Sequence, residues 1–167
     1  MEISIIIPCL NENLLIQKLL CSLKKIINSQ TEIIVVDGGS IDNSVEIASK
    51  HAHQVFITEQ GRANQMNYGA AFAKGEVLFF LHADSMLTTN AFQKLKEIVN
   101  ESVYVGGAFR LQIDSNKLLL SIISQVVNLR SRLFHLVYGD QGIFVRKKKF
   151  FEIGRFMVTP LMEDVEF

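Results

Sequence analysis

The chain has 167 residues, the size of one domain, and its 49% hydrophobic and 20% charged residues suit a compact fold with a substantial core. Its 17 basic residues are balanced by 17 acidic ones, so bulk charge gives no argument for nucleic acid as a partner, and any anion must be gripped locally. Cys9 and Cys21 stand without a CxxC or a metal-type cluster and read as reduced packing thiols of a cytosolic protein.

Residues 4–7 form an apolar, β-branched run that reads as a buried strand stopped by Pro8. That run is too short for a signal peptide, and no apolar stretch approaches the roughly 20 residues that span a bilayer. Asn11 is placed to cap a helix whose apolar face is Leu15, Leu19, Leu20, Leu23 and Ile27. Residues 32–36 are a second buried strand ending at Asp37-Gly38-Gly39-Ser40. A short helix follows, with Val45, Ile47 and Ala48 partly buried, and then a third strand at 55–57. Residues 62–73 read as a helix rich in alanine and asparagine. Residues 77–81 are a fourth, very apolar strand that ends at His82-Ala83-Asp84. Beyond it the pattern predicts a helix over 92–99, a longer and more exposed strand over 104–113, and an amphipathic helix over 118–136 carrying Arg130 and Arg132. A turn at 139–142, a short strand at 143–146 and a basic helix at 147–153 complete the order. No repeat or linker divides residues 1–167, which read as one domain. Its last residues, 163–167, resemble the first turn of a helix, so a chain truncated at its C-terminus is expected.

Strands alternating with helices at this spacing argue for an α/β fold with a mostly parallel sheet and right-handed crossovers. Ligands of such sheets sit beyond the carboxyl ends of the strands. Three polar clusters fall there: Asn11-Glu12, residues 37–40 and residues 82–84. A solvated loop explains any one of them less uneasily than all three together.

The strings SIIIPCLNE (4–12), IIVVDGGSID (33–42), GRANQMNYGA (61–70), LFFLHADS (78–85) and MED (162–164) occur in an order and spacing that resemble the family 2 glycosyltransferases with a GT-A fold. Within that family the chain is similar to small bacterial transferases sharing GRANQMN, LHAD and YGDQGIF. The resemblance implies a Rossmann-like, mixed and mostly parallel sheet flanked by helices. Residues of about 1–85 would bind the nucleotide, and those of about 86–167 would face the acceptor. It further implies an inverting transfer from a nucleotide-diphosphate sugar, a UDP-sugar by preference, to an acceptor hydroxyl on a glycan, lipid or small molecule. A nucleotide-sugar-binding protein without turnover is the alternative.

Residue by residue, the resemblance sets Asp84 where the family's DxD aspartates ligate metal, and Ala83 beside it at the nucleotide sugar. The first DxD position is His82 here, whose imidazole ligates the cation, Mn²⁺ or Mg²⁺, or hydrogen-bonds a phosphate, or only packs or orients Asp84. Such a cation would neutralise charge on the leaving diphosphate. Asp37 would accept the uracil imide hydrogen, with Gly39 allowing close approach, although an Asp-Gly turn accounts for the same residues. Pro8, Leu10, Asn11 and Glu12 form the loop against base and ribose; Leu10 replaces a ring common in the family, Asn11 serves equally as a helix cap, and Glu12 suits the helix dipole. Arg62 would face the diphosphate or, alternatively, only solvent. Asn64, Asn67 and Gly69 serve close packing and local hydrogen bonds.

The ED motif makes Asp164 the base of the transfer, with Glu163 as the alternative, against a plain acidic helix start. Asp140 and Gln141 belong to the acceptor-side loop. The basic run 146–149 is a solvated face or a contact for an acceptor phosphate or anionic lipid. The amphipathic segment 118–136 has three candidate covers: a missing C-terminal part, a second subunit of a homodimer, or a membrane surface at the inner face, where the contact would be peripheral. A dinucleotide-binding oxidoreductase would need GxGxxG after the first strand, and Pro8-Cys9-Leu10-Asn11-Glu12 stands there instead.

Overall fold

The computed structural model describes residues 2–101, 103–109 and 142–157. The expected amphipathic helix at 118–136, the strand end at 110–113 and the acidic terminus at 163–167 lie outside these residues. Six strands form one sheet: β1 (Ile3–Cys9), β2 (Thr31–Asp37), β3 (Gln54–Ile57), β4 (Val77–Phe80), β5 (Gly106–Ala108) and β6 (Ile143–Arg146), in the order β3-β2-β1-β4-β6-β5. The pairs β1–β2, β1–β4 and β2–β3 are parallel, whereas β6 runs antiparallel to both β4 and β5. Helices α1 (Asn13–Ile26), α2 (Ser44–His51), α3 (Arg62–Phe72), α4 (Thr89–Asn100) and α5 (Lys147–Glu152) flank it.

Period-2 alternation sorts the strand residues onto two faces. Ile5, Ile7, Ile33, Val35 and Phe79 pack with Ile16, Leu20 and Leu23 of α1, Ala48 of α2, and Phe92 and Leu95 of α4. Ile6, Ile34, Val36, Leu78 and Phe80 pack on the other face with Ala63, Met66 and Ala70 of α3 and with Phe150 and Phe156. The sheet builds outward from β1 to β2 and β3 and then returns past β1 to β4. Crossovers of one hand therefore put α3 on the face opposite α1 and α2, as observed.

Several expectations are corrected in detail. β1 does not stop at Pro8 but runs to Cys9. Ile6 O accepts from Leu81 N at 3.0 Å on the β4 side, while Cys9 O accepts from Gly38 N on the β2 side. By that alternation Pro8 turns its donorless nitrogen toward β4, whose paired residues have already ended at Phe80, so no ladder bond is lost. The apolar stripe of α1 runs through Ile16, Leu19, Leu20 and Leu23, and Leu15, about 100° of arc from Ile16 and off that stripe, is 43% exposed. Helix α4 starts three residues early because the Thr88 hydroxyl caps it, accepting from Ala91 N at 3.2 Å.

The first half of the basic run is engaged by the fold, while Lys148 and Lys149 are on the exposed face expected of them. Arg146 donates from Nη2 to Val99 O (2.8 Å) and Glu101 O (3.1 Å) and from Nε to Tyr104 O (3.3 Å), closing the carboxyl end of α4. Lys147 Nζ donates to Ala73 O, and Lys148 and Lys149 both pair with Glu152. Asn67 reaches further than a local bond: Nδ2 donates to Phe156 O at 2.8 Å, and Oδ1 accepts from Phe156 N at 3.1 Å. Gly69 meets the packing expectation, since a Cβ there would lie 2.6 Å from Ile6 Cγ2. No helix among the described residues is long and apolar enough to cross a membrane.

Candidate functional site

Beyond the carboxyl ends of the parallel strands, the loop after β1 and the loop after β2 are bonded to each other. Asn11 adopts φ 54°, a left-handed conformation that asparagine tolerates. Its N–H donates to Ser40 Oγ (2.8 Å), and its Oδ1 accepts from Ile41 N (2.8 Å). Glu12 N donates to Ser44 Oγ at 3.0 Å and Asn13 N to Asp42 Oδ2 at 3.1 Å. Asn11 is therefore not the helix cap expected of it. Glu12 occupies the N-cap position without a side-chain cap bond, and the first donors of α1 are satisfied from the neighbouring loop.

Asp37, only 1% exposed, closes β2 and organises its own turn. Oδ1 accepts from Gly39 N (2.8 Å) and Ser40 N (2.7 Å), and Oδ2 accepts from Ser40 Oγ. Gly39 takes φ 92°, which disfavours any side chain. The Asp-Gly turn is thus real, and three of the roughly four acceptor positions of the carboxylate are filled by it.

Glu12 stands half-buried at the mouth. Burial pushes its carboxyl above the usual range and the Leu10 backbone draws it down; Asp84 then raises it, Arg62 lowers it and Asp42 raises it again. Glu12, before α1, therefore feels both Asp84, past β4, and Arg62, at the start of α3, about the switch point between β1 and β4 where the strand order reverses. Asp84 is exposed just past β4, with Ala83 and His82 buried beside it. Arg62 opens α3, which has neither a side-chain cap nor an acid in its first turn. Gly61, before it, has φ 143°.

Among the described residues, no group of three or more His, Cys, Asp or Glu converges as a metal cage. The residues present still fit a divalent cation that shares its coordination with a ligand: Asp84 offers an exposed hard oxygen and His82 an adjacent imidazole. Cys9 contributes no reactive thiol. Burial pushes it up to about 12, helped by Glu12, Asp37 and Asp42 against a hydrogen bond with Ser44.

Sequence reasoning missed Ser44, Asp42 and Gln65. Gln65 is buried and donates from Nε2 to Cys9 O (2.9 Å) and Val36 O (2.8 Å). Only the string GRANQMN marked its neighbourhood. The expected base Asp164 with Glu163, and the loop residues Asp140 and Gln141, lie outside the described residues.

The profile described as Glycosyl transferase family 2 matches residues 4–155. An uncharacterised glycosyltransferase of Nostoc sp. is 32% identical over 120 residues, covering 68% of this chain and 37% of that relative. Staphylococcus aureus TarS 1–349 in complex with UDP-GlcNAc superposes with a TM-score of 0.78 at 21% identity, over 98% of this chain and 51% of that one. Mannosyltransferase PcManGT from Pyrobaculum calidifontis, in complex with GDP-Man and Mn²⁺, gives 0.74 at 15% identity, over 99% and 50%. The chain thus spans a little over a third of that curated relative and about half of each of these structures. The structural likeness establishes a GT-A fold. The profile match, which runs from β1 past α5, goes further: the chain belongs to glycosyl transferase family 2.

Proposed function

We propose that the chain binds a nucleoside-diphosphate sugar, preferentially a UDP-sugar, at the carboxyl edge of its sheet and transfers the sugar with inversion to an acceptor hydroxyl. The observation that carries the reading is the loop after β1 hydrogen-bonded to the turn after β2 at the carboxyl ends of the strands, with Glu12, Arg62 and Asp84 standing about the β1/β4 switch point. The complexes of similar folds with UDP-GlcNAc and with GDP-Man and Mn²⁺ support it.

In this reading the base lies against Pro8, Leu10 and Asn11, and the remaining acceptor position on Asp37 Oδ2 meets a uracil imide edge-on. Gly39 lets the backbone approach, and Arg62 with the uncapped start of α3 faces the diphosphate. Asp84, with His82 beside it, would hold Mn²⁺ or Mg²⁺, which supplies positive charge against the developing diphosphate when bound. Asp164, or Glu163, takes the proton of the attacking hydroxyl, and Asp140 and Gln141 face the acceptor.

The test is turnover of UDP-sugars by the full-length protein with Mn²⁺, read as UDP released. Asp84→Asn and Asp164→Asn should each lower the rate about a hundredfold or more. Donor binding with no transfer or hydrolysis in the unaltered protein would instead establish a binding protein.

A further inference from the structure

We infer that Gln65 is a positioning residue of the donor site, its side-chain amide setting the geometry of the two loops that hold the nucleotide; the inference rests on the donor reading above. Gln65 sits in the first turn of α3 and is 4% exposed beneath the carboxyl ends of β1 and β2. Its Nε2 gives one bond to each strand, to Cys9 O at 2.9 Å and to Val36 O at 2.8 Å. These carbonyls stand at the end of the ladder, where Cys9 pairs with Asp37 and Gly38 N closes the last bond onto Cys9 O at 2.9 Å. Past this point the two chains fork into the Leu10–Glu12 and Gly38–Ser40 loops.

A second observation concerns fit. A Cβ at Gly38 would stand 3.2 Å from Cδ, Nε2 and Oε1 of Gln65 alike, so the amide lies flat under the Gly38 backbone. Its neighbours on the buried face of α3 are Ala63, Met66 and Gly69, which need no partners. A buried primary amide there costs desolvation unless it is bonded. What it adds over an aliphatic side chain is two N–H donors on one nitrogen, aimed at two strands. From this bridge the loops continue bonded to each other through Asn11, Ser40 and Asp37, so a tilt of the amide displaces Glu12 and the Asp37 turn together. Displacements of about 1 Å in such a shell are enough to cost affinity.

The test measures UDP and GDP affinity with Mn²⁺ by calorimetry, at a temperature where circular dichroism shows each variant folded, with thermal midpoints recorded alongside. Gln65→Met and Gln65→Glu, which cannot donate to both carbonyls, should weaken the nucleotide bound by the unaltered protein about tenfold. Gly38→Ala should weaken it too, and should add little further in a Gln65→Ala background, because the clash it creates is with the amide. Affinities within about twofold of the unaltered protein for Gln65→Met and Gly38→Ala, with only the midpoint lowered, would make Gln65 a structural residue and overturn the inference. If Gln65→Met does not fold, Gly38→Ala decides alone, since it keeps every Gln65 atom. An unaltered protein that binds neither nucleotide overturns the donor reading and this inference with it, a result distinct from binding that ignores residue 65.

Discussion

Glu12 carries a charge that the folded protein resists. Because its carboxyl is raised, the folded state holds the proton more tightly than the unfolded state, so stability falls as pH rises through the window above the ordinary value of 4.5. Glu12→Gln removes that penalty and sacrifices no cap bond, since Glu12 makes none. The variant should melt at a higher temperature than the parent at pH 7, and the two curves should converge as pH falls below 4.5. A difference independent of pH would contradict the assignment. Cys9 gives a second check at this scale. With its thiol at about 12 and buried, native protein at pH 8 should be alkylated at Cys21 alone, and both thiols should react after denaturation. Rapid native labelling of Cys9 would show the site to be open. Glu12, Asp37 and Arg62 were legible in the sequence because each closes a strand or stands at a helix start at the carboxyl edge, and Asp84 because it follows a very apolar strand. Ser44, Asp42 and Gln65 were not, since their partners lie 29 to 56 residues away and only the folded backbone brings them together. The cap reading of Asn11 fails for a related reason: cap propensity is local, and the bonds to Ser40 and Ile41 that hold it left-handed are not.

At the scale of elements, periodicity found every strand and helix within the described residues and erred at their ends, where single hydrogen bonds decide. Pro8 was tolerated inside β1 because β4 stops short of it. Arg146 was read as part of a basic face, yet it closes the end of α4 with bonds to Val99 O and Glu101 O and ties the following segment through Tyr104 O. Arg146→Met keeps much of the aliphatic packing and leaves those carbonyls without the guanidinium, so it should cost about 1–3 kcal/mol. The readout is a lower urea midpoint at unchanged slope. A midpoint equal to the parent's would mean that water replaces the guanidinium without loss. The same change should leave nucleotide affinity alone, as Arg146 lies at the amino end of β4, paired with Val77, away from the mouth.

For the molecule as a whole, the alternation of strands and helices was enough to predict a mostly parallel sheet, but the placement of β6 and β5 beyond β4 was not in the pattern. Those strands pair antiparallel through contacts made only after a long intervening segment. In the proposed function the site lies at the switch point between β1 and β4, where the strand order of the described residues reverses, and donor and metal complete it jointly. Thermal midpoints with Mn²⁺ alone, UDP alone and both together, for the parent and for Asp84→Asn, test it most directly. With each ligand at about a hundredfold excess over its dissociation constant in the ternary complex, the pair should raise the parent's midpoint by about 5–10 °C. That gain should exceed the sum of the separate shifts, and Asp84→Asn should lose the excess. A UDP shift that is the same with and without Mn²⁺, or an Asp84→Asn response equal to the parent's, would contradict a jointly formed site.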